Sequence, residues 1–269
     1  MVMIESIRCG YDCPFVFLTF NLTISEHMCK NIEKDYAQCL LILQLDFDNH
    51  GGGGVLAITD IKEPDSLEIT TEFGFNSTNT TIIYRCSISD NCAWEFLYEL
   101  FSPALVEFNA LAVQAQLREL LYNNKSDSSV ITCTNHQCPS DSYCQAHLDQ
   151  SSSFENSSLI INNHLPCVNA AMKPDMIKIE QRFSSFERKT TNMTLLCNRA
   201  ECDKNETVLQ AYNLMMNEFI LPVNYSIFNS NTTITTTTQQ TNTSPSSSVL
   251  SYARILLIST FLCFLLNEF

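Results

Sequence analysis

The thirteen cysteines of this 269-residue chain limit its possible folds more strongly than any other feature of the sequence. Twelve of them form two sets of six, one before residue 93 and one after residue 132, and Cys263 stands apart in the apolar C-terminal segment. An even number of cysteines at paired spacings predicts disulfides formed in an oxidising compartment. The disulfide candidates are Cys9, Cys13, Cys29, Cys39, Cys86, Cys92, Cys133, Cys138, Cys144, Cys167, Cys197 and Cys202.

Zinc coordination is the alternative use of these cysteines. Cys9-x3-Cys13 and Cys133-x4-Cys138 have spacings that zinc ligand pairs use, but structural zinc sites carry close pairs at both ends of the motif. The middle cysteines of each set are scattered, so the spacing favours disulfides and predicts no metal site. Six cysteines can pair in many ways, and the spacing leaves the connectivity open.

Glycosylation sequons support the same compartment. Asn-x-Ser/Thr triplets occur more often than the composition predicts, and beside paired cysteines they indicate a secreted, glycan-coated surface. The candidates for N-glycosylation are Asn21, Asn76, Asn79, Asn124, Asn156, Asn192, Asn205, Asn224 and Asn231. The first eight residues do not resemble a secretory signal peptide, and the apolar run 14–20 is too short for one. We therefore expect that the signal peptide is missing from this sequence and that the protein is displayed on the extracellular face of the cell membrane.

The C-terminal region has the pattern of a stalk followed by an anchor. Residues 229–248 are rich in Thr, Ser and Asn, which is typical of an extended glycosylated stalk. The apolar block 255–266 would span roughly 18 Å as a helix, against about 30 Å of bilayer hydrocarbon. Small residues, a polar spacer and an apolar terminus favour a glycolipid (GPI) attachment signal, with Asn242 or Ser246 as the attachment site. A spanning helix within 249–269 is the alternative.

Hydrophobic periodicity predicts an α+β fold made of two tandem small disulfide-rich antiparallel β modules, each followed by a helical segment. Strands are predicted at 39–47, 55–61, 67–75, 80–86, 158–161, 176–183 and 192–197. Helices are predicted over 93–122, with a break at Pro103, and over 206–219. The predicted divisions are a first module at 1–122, a polar linker at 123–132, a second module at 133–222, a stalk at 223–248 and an anchor signal or membrane segment at 249–269.

Residues 133–202 begin with a close cysteine pair, continue with Cys144 and Cys167, and end with Cys197-x4-Cys202 followed by Asp. This layout resembles the three-finger surface proteins of the lymphocyte-antigen and urokinase-receptor type, which are often lipid-anchored and sometimes occur in tandem. The pairings that the resemblance implies are Cys133–Cys167, Cys138–Cys144 and Cys197–Cys202 in the second half, and Cys9–Cys39, Cys13–Cys29 and Cys86–Cys92 in the first.

Catalytic motifs are incomplete in this sequence. The run from His50 to Gly54 is similar to the oxyanion-hole motif of esterases, but the Gly-x-Ser-x-Gly nucleophile motif is missing, so we predict a flexible hairpin loop there. Residues from Asp46 begin like a calcium-binding loop, yet Ala57 stands where a bidentate glutamate is required. Trp94 is predicted to pack against the Cys86–Cys92 loop rather than to serve as a recognition anchor. We assign no catalytic residue, no cofactor and no metal ligand.

The net charge of −14 disfavours nucleic-acid binding, which needs a basic surface. Taken together, the sequence predicts a non-enzymatic extracellular cell-surface glycoprotein with an adhesion, ligand-binding or surface-coat role. Its predicted partners are a protein or glycan outside the cell and, through the anchor, the membrane. The alternatives are a single-pass receptor-like membrane protein and a secreted hydrolase without a recognisable motif.

Overall fold

Apolar side chains alternate with polar ones along most of the first half, and this period of two favours strands. The computed structural model describes residues 6–20, 29–35, 37–59, 64–74, 77–122, 130–152, 157–169, 176–184, 189–223 and 225. The strands of the first half are β1 (Ser6–Tyr11), β2 (Cys13–Phe17), β3 (Lys30–Asp35), β4 (Gln38–Asp46), β5 (Gly51–Thr59), β6 (Ser66–Phe73) and β7 (Thr78–Cys86). Three helices follow them: α1 (Cys92–Leu100), α2 (Pro103–Val106) and α3 (Ala110–Leu121).

The second half repeats the succession of strands and then helix. Its strands are β8 (Val130–Thr132), β9 (Gln137–Pro139), β10 (Ser142–Ser152), β11 (Ser157–Asn162), β12 (Val168–Asn169), β13 (Ile177–Ser184) and β14 (Thr190–Cys197), and its helix is α4 (Asn205–Glu218). The described residues lie in the unit Met1–Asn229. The anchor candidates Asn242 and Ser246 and the whole segment 249–269 lie outside the described residues.

One antiparallel sheet contains strands from both halves, in the order β11-β10-β14-β13-β6-β7-β4-β5-β2, with β12 paired to β10. Strands β6 and β13 join the two halves, with Ser184 opposite Ser66 and Ile177 opposite Phe73. The pairs β1–β3 and β8–β9 form two small separate sheets. The antiparallel strands and the helices confirm the coarse fold prediction. Two modules with separate sheets are not confirmed, because the β6–β13 pairing makes the sheet continuous; the predicted domain boundaries stay a prediction.

The core lies between this sheet and the helices. Helix α4 of the second half is followed by its C-cap residue Phe219, whose ring packs edge-on against Phe73 at 5.0 Å and Phe108 at 4.9 Å between centroids. Phe47 lies 5.7 Å from the same ring. These three partners belong to the first half, so both halves contribute to one continuous apolar core.

The helix that we predicted after Pro103 is interrupted once more. Helix α2 ends at Val106, which is 52% exposed, and α3 begins after Asn109. The side chain of Asn109 accepts a hydrogen bond from the backbone N of Ala112 at 3.1 Å, so it caps α3. The apolar residues Ala110, Val113, Leu117 and Leu121 are buried along one side of α3.

Candidate functional site

All twelve cysteines assigned to disulfides are paired in the structure. The bonds are Cys9–Cys39, Cys13–Cys29, Cys86–Cys92, Cys133–Cys144, Cys138–Cys167 and Cys197–Cys202. Their Cα–Cα distances, from 4.9 to 6.2 Å, are those of ordinary disulfides. Four pairings implied by the three-finger resemblance are found. The other two, Cys133–Cys167 and Cys138–Cys144, are wrong.

Strand position explains the two wrong pairings. Cys39 lies near the start of β4 opposite Cys86 of β7, and it bonds to the first cysteine of its half. Cys144 lies near the start of β10 opposite Cys197 of β14, and it too bonds to the first cysteine of its half. In the first half the loop cysteine Cys29 comes before the strand cysteine Cys39. In the second half the loop cysteine Cys167 comes after the strand cysteine Cys144. The place in the sheet, and not the order along the chain, therefore selects the partner.

Four cysteines of the second half form one sulfur cluster. The Sγ atoms of Cys133 and Cys138 lie 3.3 Å apart although they belong to different disulfides. The Sγ atom of Cys144 lies within 4.8 Å of both. A ring nitrogen of His136 lies within 4.8 Å of the Sγ atoms of Cys138 and Cys167. Zinc needs thiolates, and each of these sulfurs is already bonded to another sulfur. With these sulfurs paired, the cluster consists of two disulfides that cross-link the second half and is not a metal site.

The predicted hairpin between two strands is found, but the glycine run from Gly51 to Gly54 belongs to strand β5 and not to the loop. The turn precedes this run, at residues 47–50. A Cβ atom on Gly54 would lie 2.6 Å from the carbonyl O of Ile42 and 2.7 Å from the Phe15 ring. Glycine is required here because β4 and the phenylalanines of β2 approach closely. Its backbone lies in a strand ladder and does not form an oxyanion hole.

The acidic residues of the calcium-like segment bind backbone amides. Asp46 Oδ1 accepts hydrogen bonds from the backbone N of Asp48 at 3.0 Å and of Asn49 at 3.1 Å. Asp48 Oδ2 accepts one from the backbone N of Thr78 at 2.5 Å. These carboxylates thus close the β4–β5 turn and fasten it to β7. Trp94 is 5% exposed, which does not suit a recognition anchor on the surface.

The sheet surface that faces away from the helices is polar around the β6–β13 pair, and we call it the open face. It is defined by Glu68, Thr70, Glu72, Asn79, Arg85, Lys178, Glu180, Arg182 and Asn192, which alternate with buried residues of β6, β7, β13 and β14. Glu68 forms salt bridges with Arg85 at 3.3 Å and Arg182 at 3.5 Å. Lys178 Nζ lies 3.3 Å from both Glu72 and Glu180. The open face around the β6–β13 pair is therefore mostly polar and charged, unlike the largely apolar lining of a small-molecule pocket.

Three candidate glycosylation sites lie within the described residues, and all three asparagines are exposed: Asn79, Asn192 and Asn205. Asn79 on β7 is the Cα partner of Glu72, and Asn192 on β14 is the Cα partner of Glu180. Both asparagines thus lie on the open face, and Asn205 begins α4. The other candidates, Asn21, Asn76, Asn124, Asn156, Asn224 and Asn231, lie outside the described residues.

A small cavity of about 160 Å³ lies between β13 and the end of α4. Its lining includes Gln181, Phe183, Lys189, Met216 and Tyr225. Burial lowers the pKa of the Lys189 ammonium group and raises the pKa of Tyr225 to about 12. The described residues that line this cavity include neither histidine nor a carboxylate.

Sequence reasoning missed strand β10, which carries Cys144 and part of the sheet that supports the open face. A weak signal was present, since Cys144, Ala146 and Leu148 are buried and alternate with polar residues. Within the described residues, no helix has both the length and the apolar character needed to cross a membrane. Comparisons of this chain with protein families, with curated proteins and with solved structures find no match.

Proposed function

We propose that this chain is a non-enzymatic glycoprotein displayed on the extracellular face of the cell membrane, tethered by a C-terminal glycolipid. In this proposal the role of the protein is adhesion, ligand binding or surface coating. Its partner is a protein or glycan outside the cell. The resemblance to three-finger surface proteins, with two tandem modules, stays a prediction alongside it.

The observation that carries the proposal is the position of Asn79 and Asn192. Both are exposed on one polar sheet face, so an N-glycan can extend from either into solvent without disturbing the buried side of its strand. Six disulfides support the same compartment, because cytosolic reductants keep such cysteines as thiols.

The first test uses native protein on the cells that produce it. Phosphatidylinositol-specific phospholipase should release the protein from intact cells, whereas a single-pass helix would keep it in the membrane until detergent is added. Reduced, sugar-free protein in the cytosol would contradict the proposal as a whole. Retention after phospholipase treatment, with glycans present, would overturn the lipid anchor and leave the extracellular assignment standing.

The second test examines the glycan sites individually. The variants Asn79→Gln and Asn192→Gln should each lose the mass of one N-glycan, measured on intact protein before and after enzymatic deglycosylation. Asn31→Gln is the matched control, because Asn31 is an exposed strand asparagine outside any sequon. An unchanged mass in both sequon variants would show that the open face carries no glycan.

A further inference from the structure

We propose that the two halves of this chain are charge-matched partners, and that the β6–β13 pairing is a protein–protein interface that accepts only unlike halves. We call this pairing the seam. The partner that the acidic strand β6 fits is a basic antiparallel strand, which is supplied here by β13.

Strand order shows that the halves are equivalent. The first half arranges its strands as β5-β4-β7-β6, and the second as β11-β10-β14-β13. Cys39 faces Cys86 between β4 and β7, and Cys144 faces Cys197 between β10 and β14. These matched cysteines make β4 equivalent to β10 and β7 equivalent to β14.

The register then places a two-fold relationship at the centre of the seam. Thr70 of β6 faces Thr81, five residues before Cys86, and Glu180 of β13 faces Asn192, five residues before Cys197. Thr70 and Glu180 are therefore equivalent positions of the two halves. They are also Cα partners of each other across the seam. The halves consequently meet as the subunits of a symmetric dimer do, each presenting the same strand.

Charge distinguishes the two strands at the positions beside this centre. The pairings of β6 with β7 and of β13 with β14 also make Glu68 equivalent to Lys178 and Glu72 equivalent to Arg182. Across the seam, Glu68 faces Arg182 and Glu72 faces Lys178, and the salt-bridge distances are 3.5 and 3.3 Å. Each acidic position of the first half therefore meets a basic position of the second.

Pairing of like halves would bring like charges together. Two copies of β6 in this register would place Glu68 opposite Glu72 twice, and two copies of β13 would place Lys178 opposite Arg182 twice. Directly opposed like charges destabilise a strand pair, whereas opposite charges stabilise it. The seam thus selects the unlike half through both attraction and repulsion.

The remaining contacts between the halves are noncovalent. Each of the six disulfides lies within one half, and Phe219 packs on Phe73 across the boundary. A cut in the linker segment between the described residues Tyr122 and Val130 therefore leaves two disulfide-stabilised pieces that the described residues join only through noncovalent contacts: the seam, the shared apolar core and hydrogen bonds between the helices.

The test introduces a protease site within 123–129 of the full chain and cleaves the folded, oxidised protein. The two fragments should stay together in native buffer and co-elute. The double reversal Glu68→Lys with Glu72→Lys should weaken their association at least about tenfold, because two attractive pairs become repulsive. Adding Lys178→Glu and Arg182→Glu should restore the association. Glu99→Lys with Glu107→Lys, exposed residues of the first half outside β6, is the control for net charge.

Restored association in the fourfold variant shows that the double reversal disturbs the interface rather than the fold. The mass of each fragment, measured without reduction, should also show three intact disulfides. Fragments that separate after cleavage of the wild-type protein would overturn the proposal. A double reversal that behaves like the control, or a fourfold variant that stays dissociated, would do the same.

Discussion

Asp203 fastens the closing cysteine loop of the second half to the segment that begins that half. Its Oδ1 accepts two hydrogen bonds from Thr134, one from the backbone N and one from the hydroxyl, both at 2.9 Å. Asp90 makes a similar but not equivalent contact in the first half, where it accepts from the backbone N of Arg8 at 2.8 Å. Asp203 is 0% exposed, whereas Asp90 is exposed. A carboxylate near the closing cysteine loop thus contacts the segment that begins its half in both cases, but it is buried in the second half and exposed in the first.

This difference predicts unequal costs of removal. Asp203→Ala should lower the free energy of unfolding by about 1–3 kcal/mol, because it removes a buried carboxylate that accepts two part-buried hydrogen bonds from Thr134. Asp90→Ala should cost less than about 1 kcal/mol, since water replaces the lost acceptor. Chemical denaturation of the purified variants measures both values. Equal losses at the two positions would show that burial does not set the strength of this contact.

Gln114 joins helix α3 to the turn between β6 and β7. Its Nε2 donates to the carbonyl O of Gly74 at 3.1 Å and of Ser77 at 3.2 Å. Gln114→Leu should lower the free energy of unfolding by about 1–3 kcal/mol, because both carbonyls lose their donor in a largely buried site. The matched control is Gln116→Leu, an exposed position two residues further along the helix, where the change should be within about 0.5 kcal/mol. A Gln114→Leu variant as stable as this control would contradict the assigned role.

Close strand packing makes Gly54 irreplaceable on steric grounds. Gly54→Ala should lower the free energy of unfolding by about 1–3 kcal/mol, because the new Cβ overlaps the Ile42 carbonyl and the Phe15 ring. Gly10→Ala is the control, since its nearest neighbours, the Cβ and Cδ1 atoms of Leu56, would lie 3.7 Å away in ordinary contact. Thermal unfolding compares the two. A tolerated alanine at Gly54 would indicate that β2 is not packed against β5 as described.

Asp65 gives the stability a dependence on pH. Burial raises the pKa of its carboxyl above the usual value, and hydrogen bonds from Ser87 and Gln38 oppose that effect. Because the folded-state pKa is the higher one, the contribution to stability is complete below the unfolded-state pKa and is lost as pH rises through the folded-state pKa. Asp65→Asn should therefore be more stable than wild type at pH 7, with the difference shrinking towards pH 3. Denaturation series at both pH values measure it, and a gain that persists unchanged at pH 3 would contradict the assignment.

Peptide mapping of the unreduced protein checks the disulfide connectivity. Digestion under acidic conditions, which suppress thiolate exchange, should yield the linked peptides Cys133–Cys144 and Cys138–Cys167. The short distance between Cys133 and Cys138 makes this cluster the most demanding part of the map. Recovery of Cys133–Cys167 with Cys138–Cys144 would instead support the connectivity of three-finger proteins.

Local patterns predicted the elements whose residues alternate strongly. Strands β4, β6, β7, β13 and β14 were predictable because buried β-branched, aromatic or leucine side chains recur every second residue. Strand β10 escaped prediction because its inward positions include small residues such as Cys144 and Ala146. The glycines of β5 were interpreted as a loop because glycine is common in turns. Their actual reason, the phenylalanines of β2, lies more than thirty residues earlier in the chain.

Residue types and their spacing were sufficient to indicate which cysteines form disulfides, where the strongly alternating strands and the helices run, and which asparagines are candidates for glycans, because these properties depend on near neighbours. They did not reveal that Cys144 bonds to Cys133, or that β6 pairs with β13 through Glu68 and Arg182. Those outcomes depend on which strands become adjacent, and adjacency follows from the burial of one shared core by both halves. The spacing of residues along a chain does not reveal which strands become neighbours in the folded protein.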